Sequence, residues 1–455
     1  MITSIKVDGF RSLVRFSLDL RPGLNLLVGP NGGGKTNIIS FLGFLSELAK
    51  SDLSSIVSHL GGSGAVFRKL GANRYQSRIK ATIEGHSKAD VQFRLRFRDN
   101  SSTPEDNRTL YFQYAFTLQL SEDRESVFFA QQSLKLRLTE ASNLDAKDIK
   151  EWDAHLSVSG RPDGSVSCQQ ADMTAEFKQE FRPIRSTRES SPEQAISQML
   201  TSDVSLLVVS YSVLPSEFGV PFLSDFRRGM IFNPHPSRIR LPEDSAKPPG
   251  IRADGSGLYA SLFAIKRGIP KTGAAYRTMW FRAQEEVFVS SVKLDRLMEF
   301  FRLAYPQMAS LTVTNDQFEN TIRVRVTLEG REKSQIPLAT LSDGTLKWMA
   351  FVTAIFSNSN ILAIEEPENF VHPFVQREAI KLVRDHLQNT SYMFMSSHSE
   401  TILNAAEPEE VIVVGSKGSR TVARRVENPG HLRELIGETG FGLGFYYLAG
   451  ALEDA

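Results

Sequence analysis

Gly29-Pro30-Asn31-Gly32-Gly33-Gly34-Lys35-Thr36 is the stretch on which the reading of the chain turns. It fits the spacing GxxxxGK[ST]. Glycines at these places let backbone N–H groups turn inward and cradle phosphate oxygens, which side chains would obstruct. Lys35 is placed to reach the β- and γ-phosphates of a nucleoside triphosphate, and Thr36 to offer its hydroxyl to Mg2+. The flanks agree with this. Leu24 to Val28 is a short apolar run of the buried parallel-strand kind, set off by the turn Arg21-Pro22-Gly23. A helical pattern follows from about Thr36 to Lys50, and its positive N-terminal end points at the phosphates. The candidate ATP-binding residues here are Asn31, Gly32, Gly33, Gly34, Lys35, Thr36 and Asn37.

Further along, Ile361-Leu362-Ala363-Ile364-Glu365-Glu366-Pro367-Glu368 reads as a buried strand ending in carboxylates. In an open α/β sheet that end faces the ligand. Glu365 is placed to support Mg2+ and Glu366 to polarise an attacking water. Ser342-Asp343-Gly344-Thr345 has the form of a helix N-cap, where the Ser342 hydroxyl, the Gly344 N–H and the helix dipole make a second anion site.

Strand candidates at Ile361 to Ile364, Tyr392 to Met395 and Val411 to Val414 alternate with a helix candidate at Phe374 to Leu387, which indicates βαβ units. The core is thus split between the N-terminus and the stretch after about Pro337. Period-2 alternation at Val14, Phe16, Leu18 and Leu20, ahead of the phosphate loop, and in three runs between the two parts marks half-buried strands. Those runs are Val91 to Phe97, Phe112 to Leu120 and Leu134 to Leu138, and together they predict an antiparallel β-rich lobe. Helical patterning returns at about Trp280 to Ala304, and heptads are sustained nowhere. The expected organisation is α/β, with a first part at 1–172, a mostly helical insert at 173–335 and a second part at 336–455.

Composition bounds the classes. With 53 basic against 52 acidic side chains, any nucleic-acid contact must come from a local patch. Arg68, Lys69, Arg74, Arg78 and Lys80 form one basic stretch, read first as a solvated face. The single cysteine, Cys168, allows no intrachain disulfide and points to a reducing compartment. No apolar stretch approaches the roughly 20 residues that cross a bilayer, and MITSIKVDGF lacks the pattern of a signal peptide. The expectation is a cytoplasmic protein with no membrane partner.

The order of these motifs resembles ABC-type ATPases of the SMC, RecF and OLD branch, specifically over about residues 1–60 and 335–415. The resemblance implies an ABC-type head with a mixed, largely parallel core sheet, an antiparallel lobe, and a helical insert in place of a coiled coil. ATP and Mg2+ are the implied cofactors. Glu365 stands where the branch usually has Asp, which moves the metal-supporting charge by about one methylene. Ser342 and Gly344 are similar to the signature motif, which in this branch is offered to the γ-phosphate on the opposite subunit. His398, within Ser396-Ser397-His398-Ser399, looks like the switch histidine that contacts the γ-phosphate and the catalytic water. His372-Pro373 is typical of the RecF/OLD branch. Gly9-Phe10-Arg11-Ser12 matches the turn that brings an arginine, here Arg11, to a phosphate, although an exposed hairpin arginine fits these residues equally well. Gln76 and Gln113 are both candidates for the glutamine loop, and Asp254-Gly255-Ser256-Gly257-Leu258 resembles an element recurrent in stand-alone members.

The tail Gly440 to Gly450 is too short for the TOPRIM domain of OLD nucleases. The resemblance therefore runs to stand-alone ATPases, many of them from bacterial anti-phage systems, that work as ATP-sandwiched dimers or higher oligomers beside a separately encoded effector. A RecF-like DNA-binding ATPase is the alternative, with nucleic acid as partner. A transporter subunit is disfavoured, because such subunits usually carry a second glycine where Asp343 stands.

Overall fold

Alternation in the first half of the chain builds one antiparallel sheet. Described in the computed structural model are residues 2–451 except 73, 89–107, 124–125, 141–148, 176, 178–195, 199, 209–221, 223–225, 227–228, 248, 268–292, 331–333, 358–360, 370 and 388–391. The run Val91, Phe93, Leu95 and Phe97 and the helical pattern near Trp280 lie outside them. The chain forms two units, each assembled from three stretches: Met1–Arg21, Pro30–Arg228 and Val414–Arg424 in the first, and Pro22–Gly29, Gly229–Val413 and Arg425–Ala455 in the second.

In the first unit, seven strands follow the order β10 (Val166–Met173), β9 (Ala154–Gly160), β8 (Val127–Thr139), β7 (Thr109–Leu120), β6 (Arg78–Lys88), β1 (Ile2–Asp8) and β2 (Phe16–Asp19). Every pairing is antiparallel. Phe112, Tyr114, Phe116 and Leu118 of β7 and Leu134 and Leu136 of β8 are buried, as their spacing requires. The helix Lys35–Leu48 buries Phe41 and Phe44, which meet Phe10 edge-on or tilted at 5.2 and 5.7 Å between centroids. Burying rings of this size contributes about 1.5–3 kcal/mol each, and this cluster seats the helix. A short hairpin joins β4 (Lys69–Gly71) to β5 (Arg74–Tyr75) and carries part of the basic stretch.

The second unit holds the parallel sheet. Its order is β11 (Met230–Phe232), β16 (Ile361–Glu365), β17 (Tyr392–Ser396), β3 (Gly23–Val28) and β18 (Val411–Lys417), and these pairings are parallel. Residues 414–417 of β18 belong to the first unit, as does β19 (Arg420–Arg425) up to Arg424. The helix Asp343–Phe356 is buried on most of its surface, and the Trp348 indole N–H satisfies the Phe300 carbonyl at 2.7 Å.

The stretch expected to be mostly helical contains a second antiparallel sheet as well. Its strands are β12 (Glu243–Asp244), β14 (Thr321–Leu328), β13 (Met308–Asp316) and β15 (Gln335–Pro337). Ile322, Val324 and Val326 alternate inward, a period-2 signal in β-branched residues.

Asp254-Gly255-Ser256-Gly257 opens the helix Leu258–Arg267. Gly255 and Gly257 take φ of 82° and 92°, and the buried Glu243 carboxylate accepts from the Gly257 N–H and, at 2.9 Å, the Ala260 N–H. Burial raises the Glu243 pKa, against the pull of these backbone donors. Glu243→Ala leaves two helix-start N–H groups without that acceptor. We expect a loss of about 2 kcal/mol, read as a lower urea midpoint at unchanged m value. An unchanged midpoint would show that water serves these groups equally well.

Among the described residues no helix is long and apolar enough to cross a membrane.

Candidate functional site

The phosphate loop leaves β3 at Val28 and enters the helix Lys35–Leu48. Gly32 and Gly34 have φ of 77° and 108°, a region that side chains rarely adopt. A Cβ on Gly33 would lie 3.0 Å from the Pro30 carbonyl oxygen, and one on Gly34 would collide with the Thr421 side chain. Bare backbone therefore shapes the loop. The helix has Gly34 as its N-cap, with no side-chain cap and no acidic residue in its first turn. Its leading N–H groups and positive end suit an anion. Lys35 is buried and its Nζ donates to the Pro30 carbonyl at 3.2 Å, folded over the same loop. Asn31, Gly32 and Thr36 are exposed.

Arg11 and Asn37 are engaged by the chain itself. Arg11, at φ 48°, donates through Nε to the Ala65 carbonyl at 2.7 Å and through Nη1 to Ser40 Oγ at 2.9 Å and Asn37 Oδ1 at 3.5 Å. Asn37 Nδ2 donates to Ser12 Oγ at 2.6 Å, and Ser12 Oγ meets Thr421 Oγ1 at 2.6 Å. These bonds tie the Gly9–Ser12 turn to the start of the helix. Of the two glutamine-loop candidates, Gln113 donates to the Glu84 carboxylate at 2.9 Å, and Gln76 lies against Gly9.

In the second unit, Glu365 closes β16 opposite Ser396 of β17, and Ser396 in turn lies opposite Leu27 of β3. The next residue, Glu366, takes φ 46°, and its N–H donates to the Ser396 carbonyl at 2.9 Å. A left-handed backbone at a glutamate costs of the order of 1 kcal/mol. Glu366 Oε1 comes within 3.9 Å of His398 Nε2, and Asn369 Nδ2 donates to Glu366 Oε2 at 2.9 Å. The two expected catalytic side chains, Glu366 and His398, are thus brought together. His372 caps the helix Pro373–His386, its Nδ1 accepting from the Phe374 N–H at 3.3 Å.

Ser342 is the N-cap of Asp343–Phe356. The residue is exposed and its Oγ accepts from the Thr345 N–H at 3.2 Å; Gly344 follows in the first turn. Sequence reasoning missed Arg240, which holds this loop. Its guanidinium donates to the carbonyls of Ala339 at 2.9 Å and Leu341 at 3.0 Å, and to Asp343 Oδ1 at 2.6 Å. Burial lowers the pKa of nearby Lys347, opposed by Asp343. Missed also were Glu368 and Asn369, for which the only sequence signal was a second acid and an amide just past the strand end.

Comparison with known proteins gives the following. Residues 24–404 match the family described as "AAA domain, putative AbiEii toxin, Type IV TA system". The chain is locally similar to the DNA replication and repair protein RecF of Streptomyces avermitilis, 37% identical over 73 residues, which cover 16% of this chain and 17% of that one. For RecF of Clavibacter michiganensis subsp. michiganensis the identity is 38% over 72 residues, 15% and 18% of the two chains. The chain thus spans less than a fifth of the curated relatives it matches. Among solved structures it is similar to an SMC head bound to the C-winged helix domain of ScpA, at 12% identity, 94% and 99% coverage and a TM-score of 0.44. It is also similar to the SMC head domain from Thermotoga maritima, at 11% identity, 94% and 99% coverage and a TM-score of 0.36. The family match runs from inside β3, before the phosphate loop, to beyond the His398 loop, and on that span the chain belongs to the AAA-domain family of the putative AbiEii toxin, Type IV TA system description.

Proposed function

We propose that this chain binds ATP with Mg2+ and hydrolyses it to ADP and phosphate. One observation carries the reading. Leu27, Ser396 and Glu365 stand in register on three adjacent parallel strands, so the phosphate loop, the His398 loop and the Glu365-Glu366 turn all leave from one row of the sheet. Ligands of open parallel sheets bind beyond that end. The loop backbone and Lys35 hold the phosphates, and the uncapped helix start adds its positive end. Thr36 and Glu365 would hold Mg2+, which when bound would neutralise phosphate charge. Glu366 takes a proton from the attacking water, and His398 orients that water and contacts the γ-phosphate. Phosphate release by the purified chain with ATP and Mg2+ tests the reading; no turnover under any nucleotide or salt condition would overturn it.

The same proposal extends to assembly. Ser342 and Gly344 close the site of a second copy, so ATP sandwiches two chains about a two-fold axis. Arg11 and Asn37 contribute to the nucleotide site by fixing the start of the phosphate-loop helix. Ser342→Arg is expected to abolish the ATP-dependent dimer by clashing at the partner's γ-phosphate. Mass measurement with ATP and without nucleotide checks this, and a dimer indifferent to both nucleotide and substitution would refute the sandwich.

In the cell we read the protein as the sensor or scaffold ATPase of a bacterial anti-phage system with a separate effector. The family description, "AAA domain, putative AbiEii toxin, Type IV TA system", fits a system of more than one component. The local likeness to RecF favours a second reading, a DNA-binding ATPase of repair. Co-purification with a nuclease or toxin supports the first. DNA-stimulated turnover that falls steeply with salt supports the second.

A further inference from the structure

We propose that Glu368 is a positioning residue that holds the His398 loop in place for turnover; the inference rests on the ATPase reading above. Glu366 Oε1 and His398 Nε2 are 3.9 Å apart, a contact too long for a hydrogen bond. The pair therefore does not hold itself, and its spacing must be set from elsewhere.

Glu368 supplies that restraint. Its Oε1 accepts from the His398 backbone N–H at 2.7 Å and from Ser397 Oγ at 2.9 Å. Ser397 Oγ in turn accepts from the Ser399 N–H at 2.9 Å, and Ser399 Oγ donates to Gln376 Oε1 at 2.6 Å. Gln376 stands in the first turns of the helix Pro373–His386 and donates to the Val371 carbonyl at 2.9 Å. On the other side, Asn369 returns an N–H to the Glu366 carbonyl at 3.1 Å and an amide N–H to its carboxylate. Glu366, Glu368 and Asn369 sit on one turn, so a bond from Glu368 to the His398 main chain fixes the imidazole relative to Glu366. Glu368 reaches backbone and hydroxyl donors, not the reacting atoms, and acts through His398. Its Oε2 is buried with no hydrogen-bond partner among the described residues, so the work of the carboxylate falls on Oε1.

The test compares Glu368→Ala and Glu368→Gln. Glutamine keeps an Oε1 acceptor for both donors, whereas alanine removes it. Glu368→Ala is expected to lower kcat about 10- to 100-fold, the scale of a misplaced catalytic group, with ATP affinity changed less than about threefold. Glu368→Gln should retain most of the turnover. In a His398→Ala background, Glu368→Ala should add little, because both act through one imidazole. Hydrogen exchange gives a readout apart from activity: the His398 amide should exchange faster in Glu368→Ala and as in wild type in Glu368→Gln. Unchanged exchange at that amide in Glu368→Ala overturns the proposal. So does an equal loss of turnover with and without His398. Failure of the ATPase reading is a separate result, seen as an inert wild-type protein whose exchange pattern still responds to Glu368→Ala.

Discussion

Replacing Glu366 with glutamine is expected to lower ATP turnover by about 10²- to 10⁴-fold, the usual span for losing a general base, while ATP still binds. The geometry makes this a clean substitution. Glu366 is partly exposed, with 45% of its side chain accessible, so an amide brings no large desolvation change. Asn369 Nδ2 donates to Glu366 Oε2, so the new amide must turn its oxygen toward Asn369 and its NH2 toward His398. The turn is then preserved, with its N–H still on the Ser396 carbonyl. Only the capacity to take a proton from water is lost. Because the γ-phosphate persists, ATP-dependent dimers should accumulate in this variant and be scarce in wild type during turnover. Single-turnover phosphate release, with mass measurement in saturating ATP, reads both effects. Wild-type turnover would remove Glu366 from the chemistry. A strictly monomeric variant in ATP would leave hydrolysis intact as a reading and remove the sandwich.

Lys35→Ala is expected to weaken ATP binding about 10- to 100-fold, the loss of a charge-assisted bond of roughly 1.5–3 kcal/mol. Lys35 lies buried across the loop with its ammonium on the Pro30 carbonyl, beside Gly32 and Gly34 at positive φ. The variant loses the bond to Pro30, but the loop should keep its shape, because Gly33 packs against Pro30 and Val414 and Gly34 against Thr421. Affinity should therefore fall without a matching fall in melting temperature. Titration with a fluorescent ATP analogue, paired with a melt, separates the two. Wild-type affinity in the folded variant would withdraw the phosphate-loop assignment.

Much of this was readable from the chain alone. The phosphate loop needs eight consecutive residues between a strand and a helix, and all of its determinants are local. Period-2 burial in β7 and β8 was equally plain, because alternation is a property of neighbours. The carboxylate turn followed from a strand that ends in acids. The insert between the two parts of the core was less legible: β13 and β14 form a hairpin whose inward face, Ile322, Val324 and Val326, lies next to stretches of helical pattern. Short apolar segments of that kind fit either period.

What only the tertiary structure decided is which distant side chains meet. Glu368 and His398 are 30 residues apart, and their bond exists because β16 and β17 run parallel in a particular register. Arg240 reaches Asp343 across 103 residues, joining the end of the short helix Pro236–Ile239 to the helix cap that presents Ser342. Arg11 carried two readings in the sequence, and the fold places its guanidinium on Ala65 and Ser40. Local motifs are written in consecutive residues because backbone geometry and spacing are short-range. Pairings such as these depend on strand register and helix packing, which the burial of the whole core sets and no short stretch of sequence encodes.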